Sequence, residues 1–135
     1  MDRRNFFVNS AAAGIATALV SHGAQAADGS PLPPKNLVLT DENPGDFAGR
    51  RATHLPRIEV AGSKVKVVTR HGHSAEHFIV RHTLLLADGS LLGAKTFTGD
   101  VEPASEYDLP AGYKGKIYAT SFCNLHDLWL AEATV

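Results

Sequence analysis

The one cysteine of this chain, Cys123, lies in the segment Ser121-Phe122-Cys123-Asn124-Leu125-His126-Asp127-Leu128-Trp129. A lone cysteine has no partner for an internal disulfide, and a histidine three residues on can bind the same ion as its thiolate, so Cys123 and His126 are first a pair of metal-ligand candidates. More histidines lie upstream in two clusters: His54 in Thr53-His54-Leu55-Pro56, and the run His71-Gly72-His73-Ser74-Ala75-Glu76-His77. One thiolate and at least four imidazoles exceed what a closed, four-coordinate zinc site needs. The set suits a redox metal, because imidazoles bind iron or copper well and a single thiolate pushes electron density onto the metal.

Three motifs occur in order: His-x-Pro at His54, His-x5-His at His71 and His77 followed by Phe78 and Ile79, and Cys-Asn-x-His at Cys123 and His126 followed by Leu128-Trp129. Over roughly residues 50–135 the chain thereby resembles the superoxide reductases, the iron domain of the desulfoferrodoxin and neelaredoxin group. The resemblance implies a mononuclear iron, cycling between Fe2+ and Fe3+, with His54, His71, His77 and His126 as equatorial ligands and Cys123 as the axial one. A sixth position would stay open for superoxide, which such proteins reduce by one electron to hydrogen peroxide. Superoxide and an external electron donor are the implied partners, since each turnover leaves ferric iron. Some relatives carry an added rubredoxin-like centre with four cysteines; this chain has one cysteine, so the donor, rubredoxin-like or other, is expected to be a separate molecule.

The chain departs from that pattern around the ligands. Ala52 and Thr53 stand where members commonly have Glu-Lys, with the lysine near the open site; Gly72 replaces a proline and Arg81 a tryptophan. His73 and His82 fall outside the motifs and are expected to be surface or hydrogen-bonded side chains. Glu76 either hydrogen-bonds a ligand ring or is a solvated loop carboxylate. Trp129 is expected to pack beneath the Cys-Asn-Leu-His loop, and Asn124 to organise hydrogen bonds around the sulfur. The alternative is an exported blue-copper-like electron-transfer protein, with His, Cys and His on loops at one end of a β-sandwich. Blue copper usually adds a weak axial methionine, and the one methionine here is Met1.

Positioning such residues falls to short strands. Alternating or β-branched segments recur at 57–60, 64–69, 78–86, 91–98, 116–122 and 128–135, separated by Ala61-Gly62-Ser63, Asp88-Gly89-Ser90 and Pro110-Ala111-Gly112. Six or seven short strands with regular turn signals predict an all-β fold, an immunoglobulin-like antiparallel β-sandwich. No helix is required. His71 and His77 fall on one connection, Cys123 and His126 on another, and a rigid sheet can bring such loops together at one end.

The N-terminus reads as a targeting segment. Arg3-Arg4-Asn5-Phe6-Phe7, a short apolar stretch over 11–20 and Ala24-Gln25-Ala26 predict a twin-arginine signal peptide over 1–26, export to the periplasm and no membrane anchor after processing. Residues 27–49, with Pro31, Pro33, Pro34 and Asn43-Pro44-Gly45-Asp46, read as a linker or irregular segment, and 50–135 as the iron-binding domain. Without Asp2, Arg3 and Arg4 the formal charge goes from −1 to −2, which leaves no basic stripe for nucleic acid. A homo-oligomer is compatible with the sequence.

Overall fold

The computed structural model describes residues 33–135; the signal peptide expected over 1–26 and the first residues of the expected linker lie outside the described residues. Among the described residues, eight strands form two sheets. β2 (Arg57–Ala61) and β3 (Lys64–Val68) make a hairpin turned at Gly62, whose φ of +61° suits a residue without Cβ. β6 (Ala104–Asp108) adds antiparallel to the free edge of β3. The larger sheet runs in the order β1-β8-β7-β4-β5, built from β4 (Ile79–Leu86), β5 (Leu91–Thr96), β7 (Lys116–Cys123), β8 (Asp127–Thr134) and the two-residue β1 (Val38–Leu39). The β4–β5 hairpin turns on Asp88-Gly89, with Asp88 Oδ1 accepting from Ser90 N at 2.9 Å. Every pairing is antiparallel except β1 with β8, and the fold is the expected immunoglobulin-like β-sandwich.

Two strands escape the periodic signal. β1 has only two residues, Val38 and Leu39. In β6 the inward positions are Ser105 and Tyr107, so the apolar alternation that marks a half-buried strand is hidden by hydroxyls. The structure also corrects the expectation of no helix: a 3-10 helix spans Gly45–Arg50 and a single α-helical turn, α1, spans Arg51–His54. Neither is long enough to show a 3.6-residue period. The segment before them is anchored, because Leu39 is fully buried and Asn36 bonds Asp46 through both its amide atoms, at 2.7 and 2.9 Å.

The inward faces are layered along the sandwich. Val65, Val67, Leu84, Tyr107, Ile117 and Ala119 form the main apolar cluster. With the two-residue period of a strand, the next inward positions are Thr69 beyond β3, His82 on β4, Ser105 on β6 and Ser121 on β7, all buried. One step further come His71 and Cys123, beside Ile79 and Phe97. β3 and β7 thus step from hydrocarbon through a polar side chain to a candidate ligand, His71 and Cys123.

Candidate metal centre

Local sequence explains how each candidate is delivered. His54 is the last residue of α1, and Pro56 forces the residue before it, Leu55, into an extended conformation (φ −65°, ψ 124°), ending the helix there. His71 follows β3 in a tight turn, its N–H donating to Thr69 O at 2.8 Å. His77 closes a loop in which its N–H meets Ser74 Oγ at 3.1 Å. Cys123 pairs with Asp127 across the β7–β8 hairpin, so Asn124, Leu125 and His126 form a three-residue turn. Asp127 supplies the left-handed residue that such a turn uses, at φ +58°.

All five predicted ligand candidates are brought together. The donor atoms of His54, His77, Cys123 and His126 lie within 4.8 Å of one another. His71 joins them through Nε2, 3.0 Å from His77 Nε2 and 3.7 Å from Cys123 Sγ. Going round, His77 Nε2 is 3.1 Å from His126 Nδ1, and His126 Nδ1 is 3.1 Å from His54 Nε2. The rings of His54 and His71 close the circuit, 4.5 Å apart and nearly perpendicular. A metal–imidazole bond of about 2.0–2.1 Å places neighbouring nitrogens about 3.0 Å apart around a square and about 3.4 Å apart around a tetrahedron. The observed 3.0–3.1 Å edges match the square.

These contacts are not a satisfied hydrogen-bond network. His54 Nδ1–H donates to Arg50 O at 3.1 Å, and His71 Nδ1–H donates to Gly72 O. In the neutral rings both Nε2 atoms therefore present lone pairs to the centre. His126 and His77 join these two acceptors through three contacts, so donors and acceptors cannot alternate along the whole run and at least one contact sets lone pair against lone pair or N–H against N–H, a conflict that a cation bound by the ring nitrogens removes. Burial, followed by repulsion from His71 and His126, lowers the His54 pKa to about 4. Burial also lowers His71, and burial with the Arg50 charge lowers His126. Neutral imidazoles are the form that binds metal.

The surroundings fix this arrangement. Trp129 is fully buried and its Nε1–H donates to His126 O at 2.9 Å, so it packs beneath the loop as expected. Asn124 does not bond the sulfur. Its side chain instead links the two ligand loops, accepting from Phe78 N at 3.0 Å and donating to Glu76 O at 2.9 Å. Glu76 itself is exposed and contributes through that backbone carbonyl; His73 is exposed and His82 is a buried strand residue. Arg81 lies on the outer face of β4, bonded to Thr96 Oγ1 at 3.0 Å. Phe47 packs edge-on to His126 at 5.3 Å, a contact that no periodicity around the short 3-10 helix signals.

One side of the cluster is open. A depression of about 400 Å³ is lined by Arg50, Thr53, His54, His71, Gly72, His73, Ser74 and His77. Cys123 is fully buried and does not line it, so the sulfur approaches from the protein interior while the opening faces solvent. Thr53 directs its hydroxyl to Arg50 O at 3.1 Å. Arg51 turns away to Asp41, with Nε 3.3 Å from its carboxylate. Arg50 is the arginine at the opening.

A small β-sandwich that gathers one buried thiol and four imidazoles at one end belongs to the class of single-ion histidine–cysteine proteins; the trigonal site of blue copper would use only two of those imidazoles. Comparison narrows the class to a family. The desulfoferrodoxin family model matches residues 47–132, and the chain belongs to that family. It is 31% identical over 106 residues to a superoxide reductase of Thermococcus kodakarensis, covering 67% of this chain and 92% of the relative. A superoxide reductase of Pyrococcus furiosus is 32% identical over 117 residues, covering 67% and 93%. Among solved structures, the neelaredoxin superoxide reductase of Ignicoccus hospitalis superposes with a TM-score of 0.60 at 29% identity, covering 73% of this chain and 93% of that one.

Proposed function

We propose that the chain is a superoxide reductase, with His54, His71, His77, His126 and Cys123 as the ligands of a mononuclear iron. The observation that carries this reading is the circuit of ring nitrogens at 3.0–3.1 Å, with the buried sulfur on one side and a solvent-facing depression on the other. Iron held there would supply a one-electron reductant, passing from Fe2+ to Fe3+. The protein's part is positioning and electrostatics. The carbonyls of Arg50 and Gly72 aim two imidazoles inward, and Trp129 holds the turn that carries His126. Arg50 puts positive charge beside the opening through which the superoxide anion arrives. One electron and two protons convert superoxide to hydrogen peroxide; the protons enter from solvent through the same opening, and a separate electron donor restores Fe2+.

Residues 1–26 are proposed as a twin-arginine signal that exports the folded domain to the periplasm, supported by Arg3-Arg4-Asn5-Phe6-Phe7 and Ala24-Gln25-Ala26. The test of the metal centre is iron analysis with visible spectra before and after oxidation. One iron per chain and a thiolate-to-ferric band are expected, with the band lost in Cys123→Ser and iron content unchanged in His73→Ala. Wild-type protein that takes up iron without such a band overturns the ligand set.

A further inference from the structure

Between the apolar cluster and the candidate ligands lies a layer of buried polar side chains centred on His82 of β4. His82 Nδ1 is 2.9 Å from Ser105 Oγ on β6, and Nε2 is 2.8 Å from Thr69 Oγ1, just beyond β3. Thr69 in turn donates to Ser121 Oγ on β7 at 2.8 Å. With the Thr69 proton directed to Ser121, His82 Nε2 must carry the ring proton and Ser105 must donate to Nδ1. A neutral imidazole therefore makes both of its links, and burial, with the Lys95 charge second, keeps its pKa low, at about 4. The edge of Phe97, with ring centroids 4.8 Å apart, covers the site.

Burying four polar side chains in a sandwich core costs desolvation, and hydrocarbon fills the corresponding positions one layer away at Leu84 and Ala119. Their placement gives the network a purpose. Thr69 precedes His71 by two residues, and Ser121 precedes Cys123 by two, on the same inward faces. His82 is the direct cross-strand neighbour of Ser121, and Ser105 is that of Val67. The links thus run between both sheets and fasten the two strand ends that carry His71 Nε2 and Cys123 Sγ, 3.7 Å apart. Imidazole suits the task because one rigid ring offers a donor and an acceptor on separate edges.

We propose that His82 is a positioning residue for the metal centre: through Thr69, Ser121 and Ser105 it clamps the ends of β3 and β7, so that the His71 imidazole and the Cys123 thiol are preorganised for a common ion. This rests on the reading of the cluster as a metal site. Groups that orient ligands in this indirect way typically change metal affinity 10–100-fold, on the order of magnitude expected here.

The test titrates Co2+ into metal-free wild type, Thr69→Val, His82→Phe, His82→Gln and Leu84→Ala, following the thiolate-to-cobalt band together with melting temperature. Thr69→Val and His82→Phe are expected to weaken Co2+ binding roughly 10-fold or more and to shift the band. His82→Gln, whose amide can still reach Thr69, recovers part of the loss, and the Thr69→Val/His82→Phe double variant binds no more weakly than the poorer single. Leu84→Ala, which loosens the core without touching the network, lowers the melting temperature and leaves the band in place. If His82→Phe does not fold, the nearly isosteric Thr69→Val carries the test. Wild-type affinity and band energy in Thr69→Val and in any folded His82→Phe overturn the proposal, as does an equal band shift in Leu84→Ala. A wild-type protein with no thiolate band at all overturns the metal-site reading itself, which separates the two failures.

Discussion

Replacing Arg50 by Gln removes the positive charge at the mouth of the site while leaving the backbone carbonyl that orients His54. Arg50 also contributes to lowering the pKa values of His71 and His126, so its charge reaches the ligand ring. Two unit charges about 6 Å apart attract by about 0.7 kcal/mol in water and by about 3 kcal/mol at an effective dielectric of about 20. Those limits correspond to roughly 3-fold and 100-fold in rate. The depression opens to solvent, so the smaller figure is the better guide. Screening should erase the difference, because the Debye length shrinks from about 10 Å at 0.1 M salt to about 3 Å at 1 M. Pulse radiolysis gives the second-order rate constant with superoxide for wild type, Arg50→Gln, Arg51→Ala and Thr53→Lys at several ionic strengths. Arg50→Gln is expected to be slower and less salt-sensitive, Arg51→Ala close to wild type because Asp41 already neutralises it, and Thr53→Lys faster. Equal rates and equal salt slopes in wild type and Arg50→Gln would refute local guidance, and an equal loss in Arg51→Ala would assign the effect to overall charge.

Three further outcomes are expected. His82 has its folded-state pKa lowered to about 4 against an unfolded value of about 6.5, so its contribution is complete above pH 6.5 and is lost as pH falls toward 4. Metal-free protein should lose on the order of 3 kcal/mol from this group over that window; denaturant titrations of wild type and Thr69→Val, which keeps the imidazole, should share the trend, while His82→Phe makes it shallower and leaves the part due to His54, whose pKa is also lowered to about 4. Trp129→Phe removes the donor to His126 O and should cost about 1 kcal/mol of stability by urea melting, with weaker iron retention on dilution. Arg3→Lys with Arg4→Lys should leave precursor in the cytoplasm, seen by fractionation and N-terminal sequencing; normal secretion of the double variant would point to another route.

What the sequence makes legible follows the range over which its signals act. Cys123 and His126, three residues apart, announce a shared turn, and the regular spacing of Gly62, Gly89 and Gly112 marks the strands between them. Six strands are legible as strands because alternating or β-branched segments recur between turn signals, and the Asp88-Gly89 hairpin is legible from its turn. β6 is obscured by Ser105 and Tyr107 turned inward, and α1 is a single turn whose function is to deliver His54. The inward aim of His54 Nε2 and His71 Nε2 depends on Nδ1 bonds to the carbonyls of Arg50 and Gly72, which are backbone atoms and leave no trace in residue type. The choice between Arg50 and Arg51 is likewise settled by Asp41, ten residues earlier in the chain.

The span of the ligand set has a topological consequence. His54 precedes the three-stranded sheet and His126 lies in the last hairpin of the five-stranded one, 72 residues apart. A single ion bound to both closes a covalent-like ring around most of the sandwich, in a chain whose one cysteine precludes an internal disulfide. By chain entropy, a cross-link closing a loop of that length disfavours the unfolded state by about 4 kcal/mol. The sandwich is then stapled at one end by an ion and held at the other by the packing of Leu109, Ile117 and Val135 and by the paired backbone hydrogen bonds of Gly115 and Val135. Its stability becomes a function of free metal concentration, and a chelator acts on it as a reductant acts on a disulfide-bonded domain.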